Sequence, residues 1–268
     1  MNKKPRKKLI VFTILASTLI LVSIFAESLC PFDPYAQDLA QSYNAPSAAH
    51  LMGTDAYGRD MFSRIIIGAR ASILSTLALV AIITIFGTLV GVICGYFGGR
   101  VDSVVMRISD FFLAFPGLVF ALAVAALLGG GIINAVFALA VISWPKYSRV
   151  ARSQTLSVKA LSFIQAAKLA GDSPVQIIVR HILPNILGTI LVTSMLDIGT
   201  MMMELAGLSF LGLGAQPPIA EWGSMMSNGR SMLQTYPWVV LSPGFAIFIS
   251  VVIFNLLGDT VRDYLDPK

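Results

Sequence analysis

Phe163-Ile-Gln-Ala-Ala-Lys-Leu-Ala-Gly-Asp-Ser-Pro174, running on to His181-Ile-Leu-Pro184, is the longest polar, basic interruption in an otherwise largely apolar chain. Its residues predict two short helices hinged at Gly171. Glycine can take the left-handed conformation that ends the first helix. Ser173-Pro174-Val175-Gln176 then fits a capping box, with serine at the N-cap, proline at the first helical position and glutamine reaching back from the third. Ala166, Ala167 and Ala170 fall on one side of the first helix and leave its backbone open to close approach. Two readings stand side by side: a docking element for another protein, or an ordinary loop packed on its own membrane spans.

The surrounding composition belongs to a bilayer. Of 268 residues 56% are hydrophobic and 12% charged, against about 25% charged in a soluble domain, and the mean hydropathy is +0.79. Apolar runs of about 18 residues or more recur, the length a transmembrane helix needs. The formal net charge of +5 does not point to nucleic acid. Its basic residues gather at the N-terminus and in the central loop, as the positive-inside rule arranges them.

Six spans with both ends inside account for every charge cluster. Lys3, Lys4, Arg6, Lys7 and Lys8 precede an apolar run over 9–26, longer than the core of a signal peptide and expected to be a retained anchor. Segment 27–70 is expected outside. It carries a turn-rich stretch, Gly53-Thr-Asp-Ala-Tyr-Gly-Arg-Asp60, and a short interfacial helix around Met61, Phe62, Ile65 and Ile66. The remaining five spans, within a core covering 71–268, are expected near 71–96, 104–128, 132–144, 186–208 and 238–257. Pro116 predicts a kink in the third, and Pro145 the end of the fourth. Segment 146–184 carries Lys146, Arg149, Arg152, Lys159, Lys168 and Arg180 against Asp172 alone, which places it in the cytoplasm.

Catalytic signatures are missing from the sequence. There is no Gly-Lys dipeptide and hence no phosphate-binding loop of that type. The two histidines, His50 and His181, fall on opposite sides of the membrane, so no His-Glu-x-x-His zinc site exists. A Gly-x-Ser-x-Gly elbow is also lacking. Cys30 and Cys94 are expected near opposite faces, too far apart to pair. Neither metal nor cofactor is expected on this chain, and no enzymatic activity.

Asp197, Met201 and Glu204, spaced by four and three, share one face of the fifth span. Ionisable residues at membrane depth usually face the bundle interior or a water-filled cavity. They are candidates for a translocation path that favours a cation, or else are hydrogen-bonded to a neighbouring span. Arg107 and Asp110 are spaced for a local ion pair. Met201-Met202-Met203 scatters round the helix and makes no metal site.

Several stretches carry a family resemblance. Gln165-Ala-Ala-x-x-x-Gly171 with Leu183-Pro184 resembles the Glu-Ala-Ala loop of permease subunits of binding-protein-dependent ABC importers. Gly53-Thr-Asp-x-x-Gly-Arg-Asp60, Gly95-Tyr-Phe-Gly-Gly99, Leu208-Ser-Phe-Leu-Gly-Leu-Gly214, Gln216-Pro-Pro218, Glu221-Trp-Gly223, Phe254-Asn-Leu-Leu-Gly-Asp259, Arg262-Asp263 and Asp266-Pro267 are similar to the second permease of the peptide/nickel branch. The departure is Gln165, where the family's loop usually has glutamate.

What the resemblance implies is an all-α integral membrane protein with the type I importer permease fold. It sits in the cytoplasmic (inner) membrane of a prokaryote, with both termini in the cytoplasm. The coupling loop would use Gln165, Ala166, Ala167, Gly171, Asp172, Ser173, Pro174, Leu183 and Pro184. The implied partners are a second, homologous permease subunit, two cytoplasmic ATPases that bind ATP and Mg, and an extracytoplasmic solute-binding protein. Di- or oligopeptides are the implied cargo, with nickel or a nickel chelate as the alternative. A stand-alone secondary transporter and a membrane-embedded enzyme are the competing classes.

Overall fold

The computed structural model describes residues 3–265. Among them there are helices and turns but no strand, only an isolated bridge between Thr54 and Asp60. Helix α1 (Lys3–Ile24) and the short α2 (Ala26–Leu29) lead into an irregular segment, and α3 (Met61–Phe97) follows. Asp60 starts α3 by accepting a hydrogen bond from the Ser63 backbone N–H at 2.7 Å. Gly98, at φ 66°, ends it. At 1.5 Å per residue such a helix exceeds the roughly 30 Å bilayer core. The short helix expected around residues 61–66 is therefore no separate element: it forms the first turns of α3.

The region expected as one kinked span is two helices, α4 (Gly99–Ala114) and α5 (Gly117–Leu127), bent by 94°. Pro116 cannot donate a backbone hydrogen bond and disfavours helix at Phe115, which adopts ψ 151°. Pro145 behaves otherwise. Helix α6 (Ile132–Lys159) runs through it, so the fourth span does not stop where the sequence suggests. Pro145 is buried, and its neighbours Trp144 and Tyr147 pack on α3 at Gly87; adjoining helices commonly support such interruptions in membranes. Next come α7 (Ser162–Leu169), α8 (Pro174–Ile177), a π-helical stretch over Ile178–Ile182, α9 (Leu183–Phe210), α10 (Trp222–Gly229) and α11 (Trp238–Leu265).

Four stretches are long and apolar enough to cross a bilayer: Arg6–Ile24, Met61–Phe97, Pro174–Phe210 and Trp238–Leu265, with α4–α5 as a fifth if the bent pair counts as one. The expected six-span count is not confirmed. The shortfall is α6, whose apolar half ends near Trp144 and whose second half is basic.

The central packing is α3 on α6. Gly87, Gly91 and Gly95 fall one turn apart on α3, and a Cβ at any of them would meet α6 within 3 Å. Small residues at this spacing let two backbones touch, the arrangement membrane helices favour. Around this contact Leu79, Ile83, Leu139, Tyr147 and Leu205 form one buried cluster. Val92, Ile164, Ile177 and Ile186 belong to a second, which binds α7 and α8 to the bundle. A third, containing Met61, Ile73, Trp222 and Phe254, joins α3, α10 and α11.

Helix α10 is capped by Glu221, whose carboxylate accepts from the Gly223 and Ser224 N–H groups, both at 2.9 Å, and from the Ser72 hydroxyl at 3.2 Å. Burial pushes the Glu221 carboxyl above the usual glutamate range, the hydrogen bonds opposing it only in part.

Candidate functional site

Helices α7 and α8 form a short, hinged helical pair. Ile164 and Ile177 are fully buried and pin one side of each. Between them Gly171 adopts φ 91°, and the N–H groups of Gly171 and Asp172 return to the carbonyls of Lys168 and Ala167, both at 3.1 Å. The capping box is complete: the Gln176 N–H donates to Ser173 Oγ at 3.3 Å, and the Ser173 N–H to Gln176 Oε1 at 2.7 Å. Asp172 Oδ2 lies 3.1 Å from His181 Nε2, closing the hinge onto the π-helical stretch. Gln165, Ala166 and Pro174 are exposed, while Ala167 is half-buried. Leu169 is 91% exposed and Val175 68%. Leu183 and Pro184 open α9 directly after the π-helical stretch.

Asp197, Met201 and Glu204 line one cavity of about 210 Å³, together with Lys146, Tyr147 and Phe112 among others. Asp197 is buried. It accepts from Lys146 Nζ at 2.5 Å and from the Tyr147 hydroxyl at 3.0 Å. The two donors differ: Tyr147 is fully buried, whereas the Lys146 side chain is 52% exposed. Glu204 is half-buried and has no hydrogen-bond or ion-pair partner among the described residues. The cavity thus holds two carboxyl groups and one ammonium.

Arg107 and Asp110 do not pair as their spacing suggested. Asp110 binds Arg149, because α4 lies along α6 and brings that guanidinium within reach. Arg152 binds Asp102 in the same way, with Nη2 2.6 Å from Oδ2. Cys30 and Cys94 are both free.

Two features escaped the sequence. In the sequence Lys146 reads as one cytoplasmic charge among six, whereas in the fold it stands beside Tyr147 just past Pro145 and reaches Asp197 on α9. The Gly87-x-x-x-Gly91-x-x-x-Gly95 spacing sets the α3–α6 distance that allows this reach.

Helices of membrane length, a broken pair and a projecting polar loop mark a multi-pass membrane protein. The chain belongs to the family described as "Binding-protein-dependent transport system inner membrane component", whose model matches residues 87–268. It is 44% identical over 265 residues to the dipeptide transport system permease protein DppC of Alkalihalophilus pseudofirmus, covering 99% of this chain and 87% of that one. It is 39% identical over 254 residues to the nickel transport system permease protein NikC of Escherichia coli K12, covering 95% and 92%. Among solved structures, the inward-facing MetNI methionine ABC transporter superposes with a TM-score of 0.62 at 18% identity, over 77% of this chain and 98% of that one. That likeness establishes the fold. The chain is thus the membrane permease subunit of an ABC importer, and ATP hydrolysis belongs to a separate subunit.

Proposed function

We propose that this permease forms the translocation path for di- or oligopeptides and that the α7–α8 projection transmits the work of cytoplasmic ATPases to it. The observation that carries the reading is the apolar tip of that projection. Leu169 and Val175 are exposed on helices whose opposite sides are pinned by fully buried isoleucines. An exposed leucine on a rigid helix suits insertion into a groove of another protein. Residues Gln165, Ala166, Ala167, Gly171, Asp172, Ser173, Pro174, Leu183 and Pro184 constitute the coupling loop. ATP and Mg bind the ATPases, two of which pair with a heterodimer of this chain and a second permease.

The first segment, 1–26, anchors the chain with its terminus in the cytoplasm. Segment 27–70 faces an extracytoplasmic solute-binding protein, and 71–268 is the permease core in the inner membrane. The α6–α9 cavity supports peptide as cargo, since Glu204, lacking a partner among the described residues, and Asp197 suit the free amino terminus of a peptide, with nickel or a nickel chelate as the alternative.

Proteoliposomes carrying the whole importer test both parts. Leu169→Asp and Gly171→Pro are expected to leave the complex assembled while ATP hydrolysis continues without uptake. Glu204→Gln is expected to slow peptides with a free amino terminus more than N-acetylated ones. Normal uptake by the two loop variants would remove the coupling role. A Glu204→Gln defect seen equally with nickel chelates and peptides would remove the amino-terminus reading.

A further inference from the structure

We propose that the chain carries a second binding site, a pocket for a single carboxylate, between the segment leading into α3 on one side and residues 217–219 with the C-terminal half of α10 on the other. The pocket measures about 330 Å³ and shares no lining residue with the α6–α9 cavity. Its volume lies within the range of small-molecule sites. Arg59, Arg64, Asp55, Tyr43, Tyr57 and Asn228 are among its walls.

The two arginines are nine-tenths or more buried, with side chains 10% and 4% exposed, and they share one acid. Asp55 has little left to give. Its Oδ1 accepts from the Tyr57 and Arg59 backbone N–H groups at 2.8 and 3.1 Å, and its Oδ2 from Arg59 Nε at 2.7 Å. Arg59 Nη2 lies 2.7 Å from the same oxygen, and Arg64 Nε stands 3.5 Å away. Arg64 Nη1 donates to the Pro34 carbonyl at 3.0 Å. The neighbouring Asp60 is taken by Ser63 and His50. Arg59 Nη1 and Arg64 Nη2 are left without an acceptor among the described residues, so the pocket has one excess positive charge.

Two buried guanidiniums held by one carboxylate are costly, and the fork of donors on each matches a second carboxylate. Tyr57 lies against Arg59, with the guanidinium carbon 4.6 Å from its ring centroid. Tyr43 is stacked on Tyr236 at 4.2 Å. The ligand is therefore a monocarboxylate with an aromatic or apolar body, such as the carboxyl end of a short peptide.

The assembled permease in nanodiscs, without binding protein or nucleotide, is titrated calorimetrically with N-acetyl-phenylalanine and with its amide. Acetylation removes the ammonium that the α6–α9 carboxylates would attract, so the outcome is independent of the proposed path. The acid is expected to bind at least about tenfold more tightly than the amide, as charge-assisted hydrogen bonds require. Asp55→Asn, which removes the pocket's one negative charge, is expected to tighten binding, and Arg59→Gln to weaken it. Competition by Ala-Phe separates the sources: stronger binding than the acetylated acid assigns the pocket to peptide ends, and equal binding to small carboxylates in general. Equal affinity for acid and amide, or no binding of the acid at millimolar concentration to the wild-type permease, overturns the site.

Discussion

Replacing Gly91 by alanine tests the packing on which both candidate sites depend. A Cβ there would lie 2.2 Å from the Ser148 carbonyl oxygen, 2.8 Å from Ala151 Cβ and 3.0 Å from the Arg152 backbone nitrogen. The nearest and farthest of these atoms are helix backbone, so no side chain can swing away. Restoring ordinary van der Waals contact requires α3 and α6 to separate by about 1 Å. Overpacking of this kind costs about 1–3 kcal/mol, partly offset by the roughly 1 kcal/mol by which alanine exceeds glycine in a helix. A net loss of up to about 2 kcal/mol is expected, and a deficit of about 1–3 kcal/mol relative to the same change at an uncrowded helical glycine. Gly188 on α9 is the control, since nothing lies within 4 Å of its added Cβ, and Gly188→Ala should be neutral or slightly stabilising. Thermal unfolding of the purified permease in detergent, followed by tryptophan emission, compares the two. The same chemical change should lower the midpoint by several degrees at Gly91 and leave it or raise it at Gly188. If Gly91→Ala is as stable as Gly188→Ala, the α3–α6 contact is not the tight interface described.

Ser173→Ala removes one half of the capping box and should cost about 1 kcal/mol of local stability, read as faster amide exchange confined to α8 and the π-helical stretch. Glu221 supplies a pH dependence. Its folded pKa is raised above the unfolded value, so stability is full below the ordinary glutamate range near 4.3 and falls as pH rises through the raised folded value. Glu221→Gln should abolish that fall, so unfolding midpoints of the variant stay flat where the wild type declines. Lys146→Met leaves Asp197 with Tyr147 as its donor; a double-mutant cycle with Asp197→Asn should show coupling of about 1 kcal/mol or more. Additivity of the two substitutions would mean the pair contributes nothing.

Much of this architecture was legible because bilayer physics writes strong signals. The long apolar runs, the basic central loop and the capped start of α8 depend on local composition or on neighbours within four residues, and each matches an element of the fold. What was not legible depended on partners distant in sequence. Local spacing alone pairs Asp110 with Arg107, whereas docking of α4 on α6 selects Arg149. Pro145 reads as a helix end when the chain is taken alone, yet packing against α3 carries the helix on to Lys159. The face shared by Asp197, Met201 and Glu204 followed from helical periodicity, but the ammonium neutralising Asp197 came from a residue 51 positions away.

The continuity of α6 has a consequence for how loop and cavity communicate. Lys146, Arg149 and Arg152 are three residues apart and bind acids on α9, α4 and α4 in turn. Lys159, at the end of the helix, donates to the Tyr96 carbonyl at the end of α3. One helix thus touches the cavity at its middle and reaches the projection at its end, only Ala160 and Leu161 separating it from α7. A flexible link there would absorb a push on α7 within a residue or two. A continuous helix, tied to α4 by two ion pairs and to α3 by backbone contact, behaves as a lever instead. On the proposed coupling mechanism, the contact that feels such a push at the cavity is the one between Lys146 and Asp197. Its lysine is half-exposed and its aspartate already holds a second donor, so it can open without leaving Asp197 bare.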